Sequence, residues 1–541
     1  VWVAITAILG GGSWPAFGAA IDAQTASTPA ASLDINEFRV LGNHVLPVAT
    51  IERAVYPYLG PGRSIETLKQ AADALEKAYK SAGYSTVFVD VPEQKVTDGV
   101  VRLKVTEGRL ERVQVRGERY FSGGQILAEL PSLQVGQTPN LPELQQQLTA
   151  LNGVSSDRSV APILKAGTEP GTVDVDLAVK DSLPLHGSLQ YDNRHTAYTT
   201  PNRATASVDY DNLWQRQDTL ALQYQTAPAK PSDAEVFTAN YSGHVGSDGA
   251  LAALSYIHTA SNVLALGTLG VLGKGSIYGA HWIEPLMSSS TTSQSFNIGV
   301  DYKDVLTSVL PDSTNSSSGS SGSTGSSAPV PVNALVHYLN WSAMFTGNWW
   351  LPGRTYAFSS GIGFGVRSVF NSEDQFENAR YNAHPDYFYV RMNAVATQTL
   401  PAGFALMEKM SGQWSDSPLV NNEQFSIGGV DTVRGYLEAE ALGDTGAAGT
   451  LEVHSPHAGA WAGKFLSPMY GLVFIDGGVA TLVDPLAAQL ENITLWSTGL
   501  GVRLDNSYGV SGALDFAVPE RTGVRTRKDE SRVDFMVRYG F

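Results

Sequence analysis

The stretch "FSIGGVDTVRGY", Phe425 to Tyr436, sets Arg434 between Val433 and Gly435 behind the pair Gly428 and Gly429. The glycines alone read as a turn, since they tolerate backbone angles that other residues avoid. That reading leaves the arginine unexplained. A guanidinium keeps its charge wherever it sits, so a turn that carries one into a confined space needs a carboxylate partner. The bland alternative is a solvent-exposed arginine in a surface turn. Further along, "GLVFIDGGVA" alternates so that Phe474, Asp476 and Gly478 share one face of a strand.

Other chemistries find little support. "GTLGVLGKGS" approaches a phosphate loop, but Thr268 stands where the first Gly is required and Gly275 follows Lys274 in place of Ser or Thr. "GVSGALD" from Gly509 falls a residue short of a Gly-x-Ser-x-Gly elbow and lies in a strand pattern. His454 and His457 in "EVHSPHAG" suggest a metal pair, but without a clear carboxylate partner a polar strand end is the better reading. The chain has no cysteine, which excludes thiol catalysis, Cys-based zinc sites and disulfides. Neither an enzyme nor a cofactor is expected.

Any such residues must be positioned by a large sheet. Of 541 residues only 16% are charged and 54 are Gly, so the polar surface comes mainly from uncharged side chains. That suits a membrane β-barrel, whose wall alternates lipid-facing apolar and lumen-facing polar positions. Mean hydropathy of -0.09 rules out a helical membrane protein but not a barrel. With 36 basic against 52 acidic residues the net charge is -16, which argues against a nucleic-acid partner. Residues 1–20, "VWVAITAILGGGSWPAFGAA", read as the remnant of a signal peptide.

Two units of similar pattern follow. Residues 33–107 show a strand "EFRVLGNHVL", a helix "SIETLKQAADALEKAYKSAGY" and strands "STVFVDVPEQ" and "GVVRLKVTEG". Residues 108–181 repeat the order with "RLERVQVRG", "PELQQQLTALN", "SVAPILKAG" and "TVDVDLAVKD". Each is expected to be a β-helix-β-β domain. From 184 to 541 the pattern is strands and turns, about sixteen strands in number, an even count that closes a sheet without an edge. The Ser/Gly run at 312–332 reads as a flexible extracellular loop. Trp341, Trp349, Trp350, Trp414 and Trp496 fit either interfacial girdles or lumen packing.

The two small units resemble POTRA domains, the periplasmic modules that precede outer-membrane barrels of the Omp85 superfamily. The resemblance rests on the Gly42-Asn43 turn, Gly83-Tyr84, Pro92 with Gln94, and Glu107-Gly108 between the units. The spacing of "VPEQ" and "GVVRLKVTEGRLERVQVRG" is similar to the two-partner secretion (TpsB) branch, the haemolysin and filamentous-haemagglutinin secretion/activation transporters. The resemblance implies a 16-stranded antiparallel barrel behind two periplasmic POTRA domains. It implies that "VRGY", Val433 to Tyr436, marks a sixth extracellular loop, 417–448, that folds back into the lumen. The family's Phe-x-Asp-x-Gly motif then corresponds to Phe474, Asp476 and Gly478, with Asp476 as the partner of Arg434. Tyr539 and the terminal Phe541 resemble the assembly signal of outer-membrane barrels.

The implied function is export of a secreted TpsA-type exoprotein, an adhesin, cytolysin or similar, without nucleotide hydrolysis. Outer-membrane lipids and the barrel-assembly machinery are the other implied partners. Residues 21–34 are too short for the N-terminal plug helix and tether that relatives often carry, so a plug is not expected. The main rival is an Omp85 insertase that assembles other barrels, although such proteins usually carry more POTRA units. A POTRA-linked lipase lacks its catalytic domain here, and a passive porin leaves the two small domains unexplained.

Overall fold

The computed structural model describes residues 32–541 apart from 198, 247–248, 261–263, 266–270, 310–331, 460–462 and 488. The signal segment, all but the last few residues of the short linker to the first unit, and nearly all of the Ser/Gly loop lie outside the described residues. The chain divides into two compact units. One holds the residues up to Glu118 with Ile126–Asp181, and the other holds Arg119–Gln125 with Ser182–Phe541.

In the first unit, strand Glu37–Leu41 pairs in parallel with Val100–Glu107, which pairs antiparallel with Val87–Asp90. The same order recurs in Arg109–Arg116, Thr172–Asp181 and Arg158–Ala166. Each repeat carries two helices where the sequence pattern suggested one. Val48–Val55 precedes Ile65–Ser81 in the first repeat, and Gly123–Ala128 precedes Leu141–Val154 in the second. The extra helices escape sequence reading for local reasons. Val48–Val55 is rich in β-branched residues and has no side-chain cap, and Gly123–Ala128 is a short element opening on two glycines.

Helix Ile65–Ser81 starts where the Ser64 hydroxyl accepts from the Thr67 amide and buries Leu68, Ala71, Ala72, Leu75 and Tyr79. That face meets Val87, Val89, Leu103 and Val105 of the sheet. The Tyr79 hydroxyl donates to Asn43 Oδ1 at 2.6 Å, and Asn43 Oδ1 also accepts the Leu46 amide at 3.1 Å. Burial, with the nearby Glu107 carboxylate, pushes the Tyr79 phenol well above its ordinary range. The Glu107 carboxylate accepts the amides of His44 and Val45 at 2.7 and 3.1 Å. Gln94 exchanges two hydrogen bonds with the backbone of Arg102. Gly42, at φ +89°, lies so near the Val105 carbonyl that a Cβ there would stand 2.4 Å from its oxygen.

The second unit is a closed antiparallel barrel of sixteen strands. In chain order they are β1 Leu185–Asp192, β2 Arg203–Leu213, β3 Asp218–Thr226, β4 Glu235–Val245, β5 Ala250–Thr259, β6 Lys274–Ser288, β7 Thr292–Val309 and β8 Val332–Leu351. There follow β9 Arg354–Gly365, β10 Phe388–Thr399, β11 Ala405–Ser415, β12 Thr445–His454, β13 Met469–Thr481, β14 Asn492–Ser507, β15 Val510–Pro519 and β16 Arg532–Gly540. The near phosphate-loop segment runs into β6, so Lys274 and Gly275 belong to the wall. No helix among the described residues is long and apolar enough to cross a membrane. The barrel wall instead exposes an outward band that includes Leu189, Leu254, Ile298, Met410, Leu500 and Leu514.

The barrel closes by pairing β16 with β1, and the last rung is the terminal residue. Phe541 exchanges backbone hydrogen bonds with Gly187 at 2.9 and 3.0 Å. Its ring crosses Gly187 so closely that a Cβ there would lie 2.5 Å from a ring carbon. Val533, Val537, Tyr539 and Phe541 are exposed on one face, while Asp534 is buried on the other. Alternation along each strand turns Trp341, Trp349, Trp414 and Trp496 outward, because their neighbours Asn340, Gln413 and Ser497 are buried on the inner face. Trp350 has the opposite parity.

Candidate functional site

The long connection between β11 and β12 turns back as a hairpin, with Phe425–Ile427 paired to Ala441–Gly443. Residues 445–448 are already strand, so the loop is shorter at its end than the sequence suggested. Gly428 and Gly429 (φ +102° and +95°) bend the chain after the first arm, and Gly435 (φ +87°) bends it beside the arginine. A Cβ on Gly435 would stand 3.2 Å from that of Ala517 on β15, so the turn is pressed against the wall. Val433 and Tyr436 are buried with Ile427 and Leu495. The Tyr436 hydroxyl donates to the carbonyls of Trp496 and Arg521 at 3.0 and 2.6 Å.

Arg434 is 3% exposed and meets the inner face of β12, β13 and β15. Its Nε and Nη2 donate to the two oxygens of Asp476 at 2.7 and 2.8 Å, and its backbone amide donates to Asp476 Oδ2 at 3.1 Å. Nη1 lies 2.7 Å from Glu452 Oε1 and 3.8 Å from Asp515 Oδ1. The guanidinium carbon sits 3.4 Å from the centroid of the Phe474 ring, in cation–π geometry. Phe474 in turn lies over Gly499, where a Cβ would come within 2.3 Å of the ring. Gly478 faces Ile427 and Val433 of the hairpin at 3.1 Å from an imagined Cβ, which gives each residue of the Phe-x-Asp-x-Gly set a distinct contact.

Sequence reasoning paired Arg434 with Asp476 alone. Glu452, Asp515 and Arg503 complete the group, Arg503 donating to both Asp515 oxygens at 2.8 and 2.9 Å. Their only trace in the sequence is a charge at an inward position of a strand. His454 Nε2 lies 2.7 Å from Glu452, so this histidine does have a carboxylate beside it. His454 and His457 flank Tyr470, and neither joins a group of three possible metal ligands among the described residues.

Two further buried carboxylates hold the root of the same loop. Glu423 accepts from Lys303, Tyr338 and Tyr389. Asp444 pairs with Arg380 and accepts the amides of Leu419 and Val483 at 2.9 and 2.7 Å. Arg380 also donates to the carbonyls of Leu419 and Val483, so one side chain joins loops 366–387, 416–444 and 482–491. The loop 366–387 folds inward too. Its helix Glu373–Ala379 buries Phe376 against Tyr338 and Tyr387, with ring centroids 5.3 and 6.2 Å apart.

The family described as haemolysin secretion/activation protein ShlB/FhaC/HecB matches residues 171–312 and 335–504, and the ShlB-type POTRA domain matches 33–108. The chain is 22% identical over 491 residues to the outer membrane transporter CdiB of Dickeya dadantii (strain 3937), covering 83% of this chain and 76% of that protein. It is 25% identical over 188 residues to CdiB of Escherichia coli O6:K15:H31, covering 35% of this chain and 32% of that one. Among solved structures, CdiB from Escherichia coli has a TM-score of 0.57 at 18% identity, covering 96% and 93% of the two chains. BamA from Haemophilus ducreyi lacking POTRA domains 1–3 has a TM-score of 0.57 at 14% identity, covering 95% and 100%. At these identities the structural likeness is one of fold.

Proposed function

The chain belongs to the ShlB/FhaC/HecB haemolysin secretion/activation family of outer-membrane two-partner secretion transporters, with its POTRA region in the periplasm, and from that premise we propose that it exports one large exoprotein, unfolded and without nucleotide hydrolysis. The observation that carries this reading is the lumen: a closed wall around a hairpin clamped by Arg434. Residues 108–181 act as a second POTRA domain. The edge strands Val87–Asp90 and Arg158–Ala166, which expose Phe88, Ile163 and Leu164, offer backbone for an incoming unfolded strand. Val433, Arg434, Gly435 and Tyr436 hold the sixth loop in place against Phe474, Asp476 and Gly478. Tyr539 and Phe541 serve insertion by the barrel-assembly machinery.

The second reading is an Omp85-type insertase that assembles other barrels. Deleting the gene and comparing the medium with the outer-membrane fraction by mass spectrometry separates the two. Loss of one large protein from the surface or medium, with other barrels unchanged, is the expected result; depletion of many barrel proteins means an insertase.

A further inference from the structure

The inner wall of the barrel is filled by folded-in loops along part of its circumference and lined by cavities along the rest. Around β8 and β10 the space is occupied by loop 366–387, whose Phe376, Ala379 and Ala383 join Val336, Tyr338 and Tyr387 in an apolar core. Along β12 to β15 it is occupied by the clamped hairpin. A cavity of about 210 Å³ remains between β10, β11 and the hairpin, rimmed by Arg391, Lys409 and Asp431. A second cavity, about 450 Å³, lies against β1 to β4.

That last sector combines a run of uncharged amides and hydroxyls on β1 to β4 with the charged or titratable Asp192, Arg194, His195, Arg203, Glu438 and Arg538. Register pairing places Ser188 beside Ser207, Gln190 beside Thr205, and Gln223 beside Thr238, with Asn240 next along β4. Among the described residues Gln223, Thr238 and Asn240 make no side-chain hydrogen bond. The charged groups at its loop end are held by neighbours: Arg194 by Asp431 at 2.9 Å, and Arg203 by Thr199 Oγ1 and the Thr200 and Asn202 carbonyls. Arg538 on β16 flanks the cavity.

Building on the export reading, we propose that the exoprotein crosses the barrel as an extended chain along the β1 to β4 wall, with Gln190, Gln223, Thr238 and Asn240 as its transient hydrogen-bond partners. An unfolded backbone offers a donor and an acceptor at nearly every residue, and amides and hydroxyls can both give and accept. Such a wall satisfies a passing backbone whatever its side chains.

The test uses the protein in its own host. p-Benzoylphenylalanine is placed singly at Gln223, Asn240, Asn393 or Ser411, and cells are irradiated during export. The adducts are probed for the exoprotein that disappears from the medium of the deletion strain. Adducts at 223 and 240 but not at 393 and 411 are expected; adducts at 393 and 411 instead, or equally at all four, overturn the assignment. A deletion strain that loses no exoprotein refutes the export reading itself. A second arm needs no client, since the chain has no cysteine of its own. In planar bilayers a cationic methanethiosulfonate reagent on Gln223→Cys should at least halve the conductance, while the same reagent on Ser411→Cys leaves it nearly unchanged. The reverse pattern also overturns the assignment. Heat-shifted mobility on gels confirms that each variant forms a barrel.

Discussion

At the scale of single residues, the clamp is one cation facing three carboxylates within a wall that excludes solvent. Removing one partner of a buried pair typically costs about 3 to 5 kcal/mol, because the other charge is left behind. Arg434→Ala leaves Asp476, Glu452 and Asp515 facing one another, with Arg503 beside Asp515 and His454 beside Glu452. It is expected to cut export at least tenfold, measured as exoprotein in the medium, while heat-shifted mobility reports a barrel that still forms. Arg434→Lys should rescue only part of the loss, because an ammonium cannot reproduce the two parallel bonds to Asp476 while reaching Glu452. The Arg434 and Asp476 positions were legible in the sequence because two short motifs mark them. Glu452 and Asp515 were not, since their nearness to Arg434 follows from strand register across β12 to β15, which no local pattern encodes.

At the scale of elements, the alternation that identifies a strand also fixed its inner and outer faces, so the barrel was readable before the structure was known. Short helices were harder: Val48–Val55 and Gly123–Ala128 are held by packing more than by propensity. Pairing of β16 with β1 ends in the two backbone bonds between Phe541 and Gly187. Deleting Phe541 removes both and the ring that covers Gly187. The expected outcome is a lower yield of heat-shifted barrel in the outer-membrane fraction, with more unassembled chain in the periplasm. In the second repeat, hydrogen bonds from Thr168 and then Thr172 hold the Glu111 carboxyl at about 2, below the ordinary value of 4.5. The folded form binds the proton more weakly than the unfolded form. This contribution to stability is therefore complete above pH 4.5 and is lost as pH falls toward 2. Hydrogen exchange of the Thr168 and Glu169 amides should rise relative to the rest of the sheet across that window, and Glu111→Gln should remove the pH dependence.

At the scale of the whole barrel, Arg380 ties three loops together through Asp444 and two carbonyls. Arg380→Ala unties loop 366–387 from its neighbours and leaves Asp444 buried among amide donors alone. Larger and more frequent openings in planar bilayers are expected, together with greater sensitivity of the cells to bulky antibiotics; unchanged conductance would show that the apolar contacts of Phe376 suffice to hold the loop. The inward fold of this loop is not legible in the sequence, because an aromatic in a connecting segment looks the same whether it faces solvent or a lumen. The buried Phe376 also bears on how such transporters can be recombined. Surface loops are usually interchangeable parts, but this one is cut to fit the wall behind it, Phe376 against Tyr338 on β8 and Tyr387 against Tyr389 on β10. A graft of 366–387 from a distant relative should fail unless β8 and β10 travel with it, so exchange of parts between such transporters should respect blocks of wall and loop together.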